Sequence, residues 1–173
     1  MTDDCDTPLH QGPTGPWWKG ARGEWFLVVQ ALLFGLVALG PASHPLVPAW
    51  PSSVAAALKW PGVALMAAGG VLAVAGVVKL GDSLTALPYP KDCSRLETDW
   101  PYSVVRHPIY SGLVIGSLGV ALWRGGWLPV LYALLLFAFF DVKSRLEERW
   151  LAQKYADYLA YRAQVRKLIP WVY

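Results

Sequence analysis

The strongest constraint on this chain is an apolar run at residues 60–78 in which no side chain is charged. A helix needs about 20 consecutive apolar residues to cross the hydrocarbon core of a bilayer. A run at residues 17–39 is comparable and carries charge only near its start. Two shorter runs, at residues 108–123 and 125–140, meet at Arg124 and a Gly-Gly pair, so we expect a tight helical hairpin. The sequence therefore predicts an all-α integral membrane protein with about four transmembrane helices.

The composition points the same way. Of 173 residues, 55% are hydrophobic and 16% are charged, whereas soluble domains carry about 25% charged residues. A chain this short has too little interior to bury so much apolar surface. The net charge of +3 and the lack of basic runs interleaved with aromatic residues argue against nucleic acid as a partner. The two cysteines, Cys5 and Cys93, fit neither a metal site nor a disulfide scaffold, and no metal is expected.

Aromatic and basic residues predict how the helices lie in the membrane. Every tryptophan except Trp25 sits at or just beyond the end of an apolar run, as in an interfacial aromatic belt. This favours the membrane interpretation of the hairpin over a pair of buried helices in a soluble protein. Of the 15 basic residues, only Lys59 and Arg124 fall in the connections at 40–59 and 124–126. The positive-inside rule then predicts that both termini and the 79–107 loop are cytoplasmic.

The segments outside the apolar runs complete the predicted organisation. Residues 1–16 are expected to form a disordered tail, and their acidic start is unlike a cleaved signal peptide. Residues 17–80 carry the first two helices, and the proline-rich stretch 40–53 between them predicts a stiff, non-helical loop. After the fourth run, an apolar stripe flanked by charges predicts an amphipathic helix on the cytoplasmic surface that ends at Pro170.

Small residues recur at three- and four-residue spacing in two of the runs. They are Gly69, Ala73 and Gly76 in the second run and Gly112 and Gly116 in the third. Such spacing allows two helix backbones to approach closely. The general abundance of small residues in membrane helices explains the pattern equally well.

A polar cluster precedes the third run. Pro108 is well placed as the first helical residue, with His107 as the cap. A helix N-terminus presents free N–H groups and partial positive charge, which favour a carboxylate or phosphate. Tyr102 and Tyr110 would add hydroxyl groups around it. The alternative is that Arg106 and His107 only anchor a helix end among lipid headgroups.

A second cluster, at residues 141–149, follows the fourth run. Ordinary pairing along a helix explains its charges, since Lys143 precedes Glu147 by four residues and Arg145 precedes Glu148 by three. Ionisable residues this close to apolar runs are nevertheless candidates for function.

The hairpin joins the two clusters into one predicted site. Because its helices are connected by a tight turn, their far ends lie side by side, which brings His107 and Tyr110 close to Glu147 and Glu148. Such a site would hold a cationic or zwitterionic ligand on the protein side, and a lipidic second ligand would enter from the bilayer.

These motifs also resemble a known family. Residues 80–90 read LGDSLTALPYP; Pro101-Tyr102 and RHPIYSG at 106–112 follow; and Glu147-Glu148 precedes spaced tyrosines in the last segment. From residue 80 onward the chain resembles the isoprenylcysteine carboxyl methyltransferase and phospholipid methyltransferase family of integral-membrane, S-adenosylmethionine-dependent enzymes. Trp100 departs from the family pattern, which usually has glycine before Pro-Tyr.

The resemblance implies roles for particular residues. Residues 81–173 would comprise the cofactor-binding loop, the hairpin and the C-terminal helix. Lys143 or Arg145 would meet the acceptor, and Glu147 or Glu148 would serve as general base if the acceptor were an amine. The residues implied to hold S-adenosylmethionine are Tyr102, Arg106, His107, Pro108, Tyr110 and Glu147.

Three functions are compatible with the sequence. The first is methyl transfer from S-adenosylmethionine to a lipophilic acceptor, such as a prenylated cysteine carboxylate, a phospholipid amine or a thiol. The second is a nicotinamide-dependent membrane reductase, because some sterol reductases share this C-terminal architecture. The third is a non-catalytic protein that binds anionic membrane lipid through its basic residues. The sequence does not select the acceptor or the oligomeric state.

Overall fold

The computed structural model describes residues 24–87, 94–170 and 172–173, and every regular element in them is helical. A short 3-10 turn, Gly81–Ser83, follows the second helix. The expected tail at 1–16 and the start of the first apolar run lie outside the described residues. The five α-helices are α1 (Glu24–Leu39), α2 (Ser52–Leu80), α3 (Pro108–Arg124), α4 (Trp127–Lys154) and α5 (Tyr158–Gln164).

Two helical segments are long and apolar enough to cross a membrane, Ser52–Ser83 and Trp127–Lys154. Only 11% of the most apolar window of the first segment is buried inside the protein. A soluble core helix would be covered by its neighbours, so this apolar surface is suited to lipid. α1 is a shorter apolar helix and α3 has 17 residues. The all-helical membrane fold agrees with the sequence, and the two longest helices carry its clearest membrane signal.

Of the two explanations left open for the small residues of the second and third apolar runs, the structure shows close helix contact. A methyl group added to Gly112 would lie 2.4 Å from the carbonyl oxygen of Gly69, and one added to Gly119 would lie 2.6 Å from that of Gly62. Any side chain at these contacts would force the backbones apart. α2 and α3 therefore pack backbone to backbone. This contact sets the position of the start of α3 relative to α2.

The predicted hairpin is also confirmed. α3 ends at Arg124 and is capped by Gly125, which has a left-handed φ of 67° and donates its N–H to Ala121 O at 3.1 Å. α4 begins two residues later and runs without interruption to Lys154. Arg124 donates to Val37 O at 3.0 Å and thereby ties the turn to the end of α1.

The connection before α2 is non-helical as expected, and His44 in it only caps a local turn.

The prediction of one C-terminal helix ending at Pro170 is wrong. α4 ends at Lys154, a short break follows, and α5 ends at Gln164. Beyond it the described chain is not helical, and the N–H groups of Arg106 and His107 donate to the carbonyls of Arg166 and Lys167 at 2.8 and 3.2 Å. These bonds replace the helical ones and lay the C-terminal segment against the start of α3.

Candidate functional site

A cavity of about 390 Å³ lies where α3 begins and α4 leaves the apolar region. All five α-helices contribute to its walls, α2 through its last residue, together with the segments on both sides of the undescribed residues 88–93. One part of the wall is polar and aromatic, and another is formed by leucines. Its lining includes Gln30, Leu80, Leu84, Tyr102, His107, Tyr110, Leu113, Lys143, Glu147 and Tyr158.

The start of α3 has the predicted arrangement. Pro108 is the first helical residue and His107 is the N-cap, with its side chain 6% exposed. The His107 ring stacks on Tyr110 at a centroid distance of 5.4 Å and an angle of 8°. Tyr110 also stacks on Phe140 of α4, at a centroid distance of 4.6 Å. The aromatic stack holds the imidazole at the cavity wall.

Glu147 joins this wall from α4, as the hairpin predicted. The Tyr110 hydroxyl donates to Glu147 Oε2 at 2.8 Å, and His107 Nδ1 lies 3.8 Å from the same oxygen. The Glu147 side chain remains 24% exposed. The cavity therefore contains an accessible carboxylate beside two aromatic rings.

Glu148 has a different environment from its neighbour. Its side chain is 4% exposed and does not line the cavity. Glu148 Oε1 accepts from Arg106 at 2.8–2.9 Å, and His107 Nε2 lies 3.2 Å away. Two basic groups already contact this carboxylate. Glu148 therefore holds Arg106 and His107 in place at the polar wall of the cavity.

Arg106 connects that wall to the C-terminal segment. Besides Glu148, its guanidinium donates to Arg162 O at 3.2 Å and to Val165 O. Both carbonyls lie at the end of α5, where helix carbonyls lack intrahelical partners. Arg106 borders the cavity, but these contacts occupy its guanidinium.

Three tyrosines, of which Tyr102 and Tyr158 are buried, line the rest of the polar wall. Tyr102 donates to Gly76 O at 3.2 Å, and Tyr161 donates to Tyr102 O at 2.6 Å. The Tyr158 hydroxyl is buried and has no hydrogen-bond partner in the described part of the chain. Burial raises the pKa of the Tyr102, Tyr158 and Tyr161 hydroxyls, so all three stay neutral and able to donate.

The basic residues of the second cluster do not form the pairs expected along the helix. Lys143 is buried, lines the cavity and donates to Gln30 Oε1 at 2.7 Å and to Ala86 O at 2.9 Å. Arg145 is exposed, pairs with Asp141 at 2.8 Å and does not line the cavity. Of the two basic candidates, only Lys143 therefore reaches the cavity.

Gln30 and Tyr158 are cavity residues to which the sequence reasoning gave no role. Gln30 is the single uncharged polar residue of α1, and a lone polar residue in an apolar helix is a signal that could have identified it. Tyr158 was noted only as one of several spaced tyrosines. Trp100, the departure from the family pattern, lies outside this cavity and borders a groove on the outer face of α2.

This combination defines a class of protein, a helical membrane protein with a cavity of polar and apolar lining at the open end of a helical hairpin. A family model described as phospholipid methyltransferase matches residues 58–158, which is more than half of the chain. The protein belongs to the phospholipid methyltransferase family.

Individual relatives carry several methyltransferase names. The chain is 37% identical over 79 residues to protein-S-isoprenylcysteine O-methyltransferase of Schizosaccharomyces pombe, which covers 44% of this chain and 34% of that protein. It is 30% identical over 98 residues to phosphatidyl-N-methylethanolamine N-methyltransferase of Saccharomyces cerevisiae, a match that covers 56% of this chain and 48% of that protein. It is 36% identical over 78 residues to methanethiol S-methyltransferase 1 of Bradyrhizobium diazoefficiens, a match that covers 44% of this chain and 27% of that protein. The matches thus span between about a quarter and a half of these relatives.

Proposed function

We propose that this protein transfers the methyl group of S-adenosylmethionine to a lipophilic acceptor at the cytoplasmic face of a four-span membrane domain. The observation that carries the proposal is the meeting of His107 and Tyr110 from α3 with Glu147 from α4 at one cavity. That cavity also has apolar walls and belongs to a protein with membrane-length helices. The names of the relatives, which are O-, N- and S-methyltransferases, support the same reaction class.

The residues of the cavity fit a methyl donor of this kind. The carboxylate of Glu147, beside the faces of His107 and Tyr110, suits a ligand that carries positive charge. The buried Tyr158 hydroxyl still has a hydrogen bond to offer a polar ligand. When bound, S-adenosylmethionine supplies a methyl group already activated on a sulfonium sulfur. The residues proposed to hold it are Tyr102, His107, Pro108, Tyr110 and Glu147, while Arg106, whose guanidinium is already engaged, would support this wall through Glu148.

The chain's own contribution is to align the two ligands and to keep water away. Holding reactants in a fixed geometry removes much of the entropic barrier, and a dry site strengthens electrostatic interactions. We assign the acceptor side to Lys143 rather than Arg145, because only Lys143 lines the cavity. We assign any general-base role to Glu147, since Glu148 is occupied by Arg106 and His107.

Methyl transfer in membrane vesicles tests this proposal. Inside-out vesicles containing the protein are supplied with radioactive S-adenosylmethionine and with a prenylated cysteine, phosphatidylethanolamine or a long-chain thiol. We expect label in one of the organic-soluble products, and we expect sealed right-side-out vesicles to give none because the donor then cannot reach a cytoplasmic site. The variant Glu147→Gln should lose most of the transfer, whereas Gln164→Glu, on the exposed end of α5, should retain it. Absence of labelled product from all three acceptors would contradict the proposed activity.

A further inference from the structure

Lys143 has an unusual set of partners for a buried cation. Its residue is 1% exposed, yet both oxygens that accept from its ammonium, Gln30 Oε1 and Ala86 O, are uncharged. None of the ion pairs in residues 24–87, 94–170 and 172–173 involves Lys143. Burying a charge is costly unless an opposite charge or a full set of hydrogen bonds compensates it. The ammonium has three N–H donors and uses two in these hydrogen bonds, so one donor remains for a ligand.

Gln30 adds further donors at the same place. Lysine can only donate, so the amide oxygen of Gln30 must face Lys143 and its NH₂ group must face away. Gln30 lines the cavity, and within the described residues its NH₂ group has no acceptor. Together, Gln30 and Lys143 therefore present N–H donors from two different helices to the cavity.

Lys143 and Glu147, one helical turn apart on α4, bring opposite charges to the cavity. Lys143 Nζ lies 5.3 Å from the centroid of the Tyr110 ring, and the hydroxyl of that ring donates to Glu147. The Glu147 carboxylate suits the positively charged donor of the proposed function. The Lys143 ammonium suits an anion and would repel a protonated amine.

We propose that Gln30 is a specificity-determining residue which, with Lys143, binds an anionic acceptor group, a carboxylate or thiolate on a lipophilic body. This inference rests on the proposed methyl transfer and narrows its acceptor. Gln30 lies in α1, outside residues 58–158 that match the family, so the match assigns it no role.

The chemistry of such an acceptor balances without a proton transfer. A lone pair on the carboxylate oxygen or thiolate sulfur forms the new bond to the methyl carbon. The carbon–sulfur bond of the donor breaks, and its electron pair stays on the donor sulfur as a neutral thioether. The negative charge of the acceptor and the positive charge of the sulfonium cancel, so no general base is required. The Gln30 and Lys143 donors hold the acceptor anion and do not themselves react.

A pair of ligands that differ only in charge tests the inference. The purified full chain in detergent is titrated with N-acetyl-S-farnesylcysteine and with its carboxamide, both in the presence of S-adenosylhomocysteine. We expect the carboxylate to bind at least about tenfold more tightly than the carboxamide. The variant Gln30→Glu places a carboxylate against Lys143 and should abolish that preference, whereas Gln164→Glu adds the same charge outside the cavity and should leave it unchanged.

The outcomes separate this inference from the proposed function. Equal affinity for the two ligands, binding of neither, or an unchanged preference in Gln30→Glu would each overturn it. In the last case Gln30 would only tether α1 to α4, a structural role that does not affect discrimination by charge. Failure of S-adenosylhomocysteine to bind in a separate titration would contradict the proposed function instead. The two failures are distinguishable because the carboxylate preference is measured with the two farnesylcysteine ligands.

Discussion

Adjacent glutamates on α4 illustrate how the environment of a residue decides its role. Glu147 faces the cavity, accepts from Tyr110 and keeps a quarter of its side chain exposed. Glu148 points to the other side, where Arg106 and His107 enclose it. Successive helical residues differ in direction by about 100°, so a pair that is identical in chemistry is divided between two surroundings. We therefore expect Glu147 to bind a ligand and Glu148 to stabilise the folded protein.

Substitution of each glutamate by glutamine distinguishes these roles. Glu148→Gln leaves Arg106 and His107 without their buried counter-charge, and we expect a loss of roughly 3 kcal/mol in the free energy of unfolding. Glu147→Gln loses one charge-assisted hydrogen bond at a partly exposed site, and its cost should be about 1 kcal/mol. Thermal unfolding of both variants in the same detergent gives the comparison. Equal destabilisation would show that the two carboxylates are not divided in this way.

At the scale of elements, the contact between α2 and α3 sets the position of the site. Gly69 and Gly112 place the two backbones in direct contact, and α3 begins only four residues before Gly112. Tyr102 also donates to Gly76 O of α2, so the loop before α3 is held by the same helix. The geometry around His107 thus depends on a contact between glycines that do not line the cavity.

A single methyl group at this contact tests that dependence. In Gly112→Ala the new methyl would lie 2.4 Å from Gly69 O and 2.6 Å from Ala73 N, so the helices must separate. We expect a destabilisation of about 1–3 kcal/mol, which is typical of overpacking. Gly116→Ala is the matched control on the same helix, since its methyl would meet nothing within 4 Å. Comparable unfolding temperatures for the two variants would contradict the close packing.

The C-terminal segment shows where periodicity in the sequence misleads. The spacing of apolar residues predicted a helix to Pro170, but α5 ends at Gln164 because the following carbonyls accept from the backbone of Arg106 and His107. Those donors lie about 60 residues away in the chain, and a local pattern contains no information about them. The hairpin was predictable because its turn depends on the adjacent Gly125 and Gly126.

The whole molecule combines an apolar helical surface with a cavity in which charged and polar side chains meet apolar ones. Its membrane character and the meeting of α3 with α4 followed from run lengths and from one tight turn. The contact between Gln30 and Lys143 required the structure, because the approach of α1 to α4 is long-range; the sequence marks Gln30 only as a lone polar residue in an apolar helix. The structure was also needed to distinguish Lys143 from Arg145. Both lie on α4, but Lys143 donates to Ala86 O and Arg145 pairs with Asp141.

Calorimetric titration with S-adenosylhomocysteine tests the central claim, that the cavity at the start of α3 binds the methyl donor. The account predicts micromolar binding by the protein, loss of binding in His107→Ala and in Glu147→Gln, and full retention in His44→Ala, whose histidine lies in the loop before α2. NADPH, titrated in parallel, should not bind. Binding of NADPH alone, or S-adenosylhomocysteine affinity that is unchanged in both cavity variants, would contradict the account.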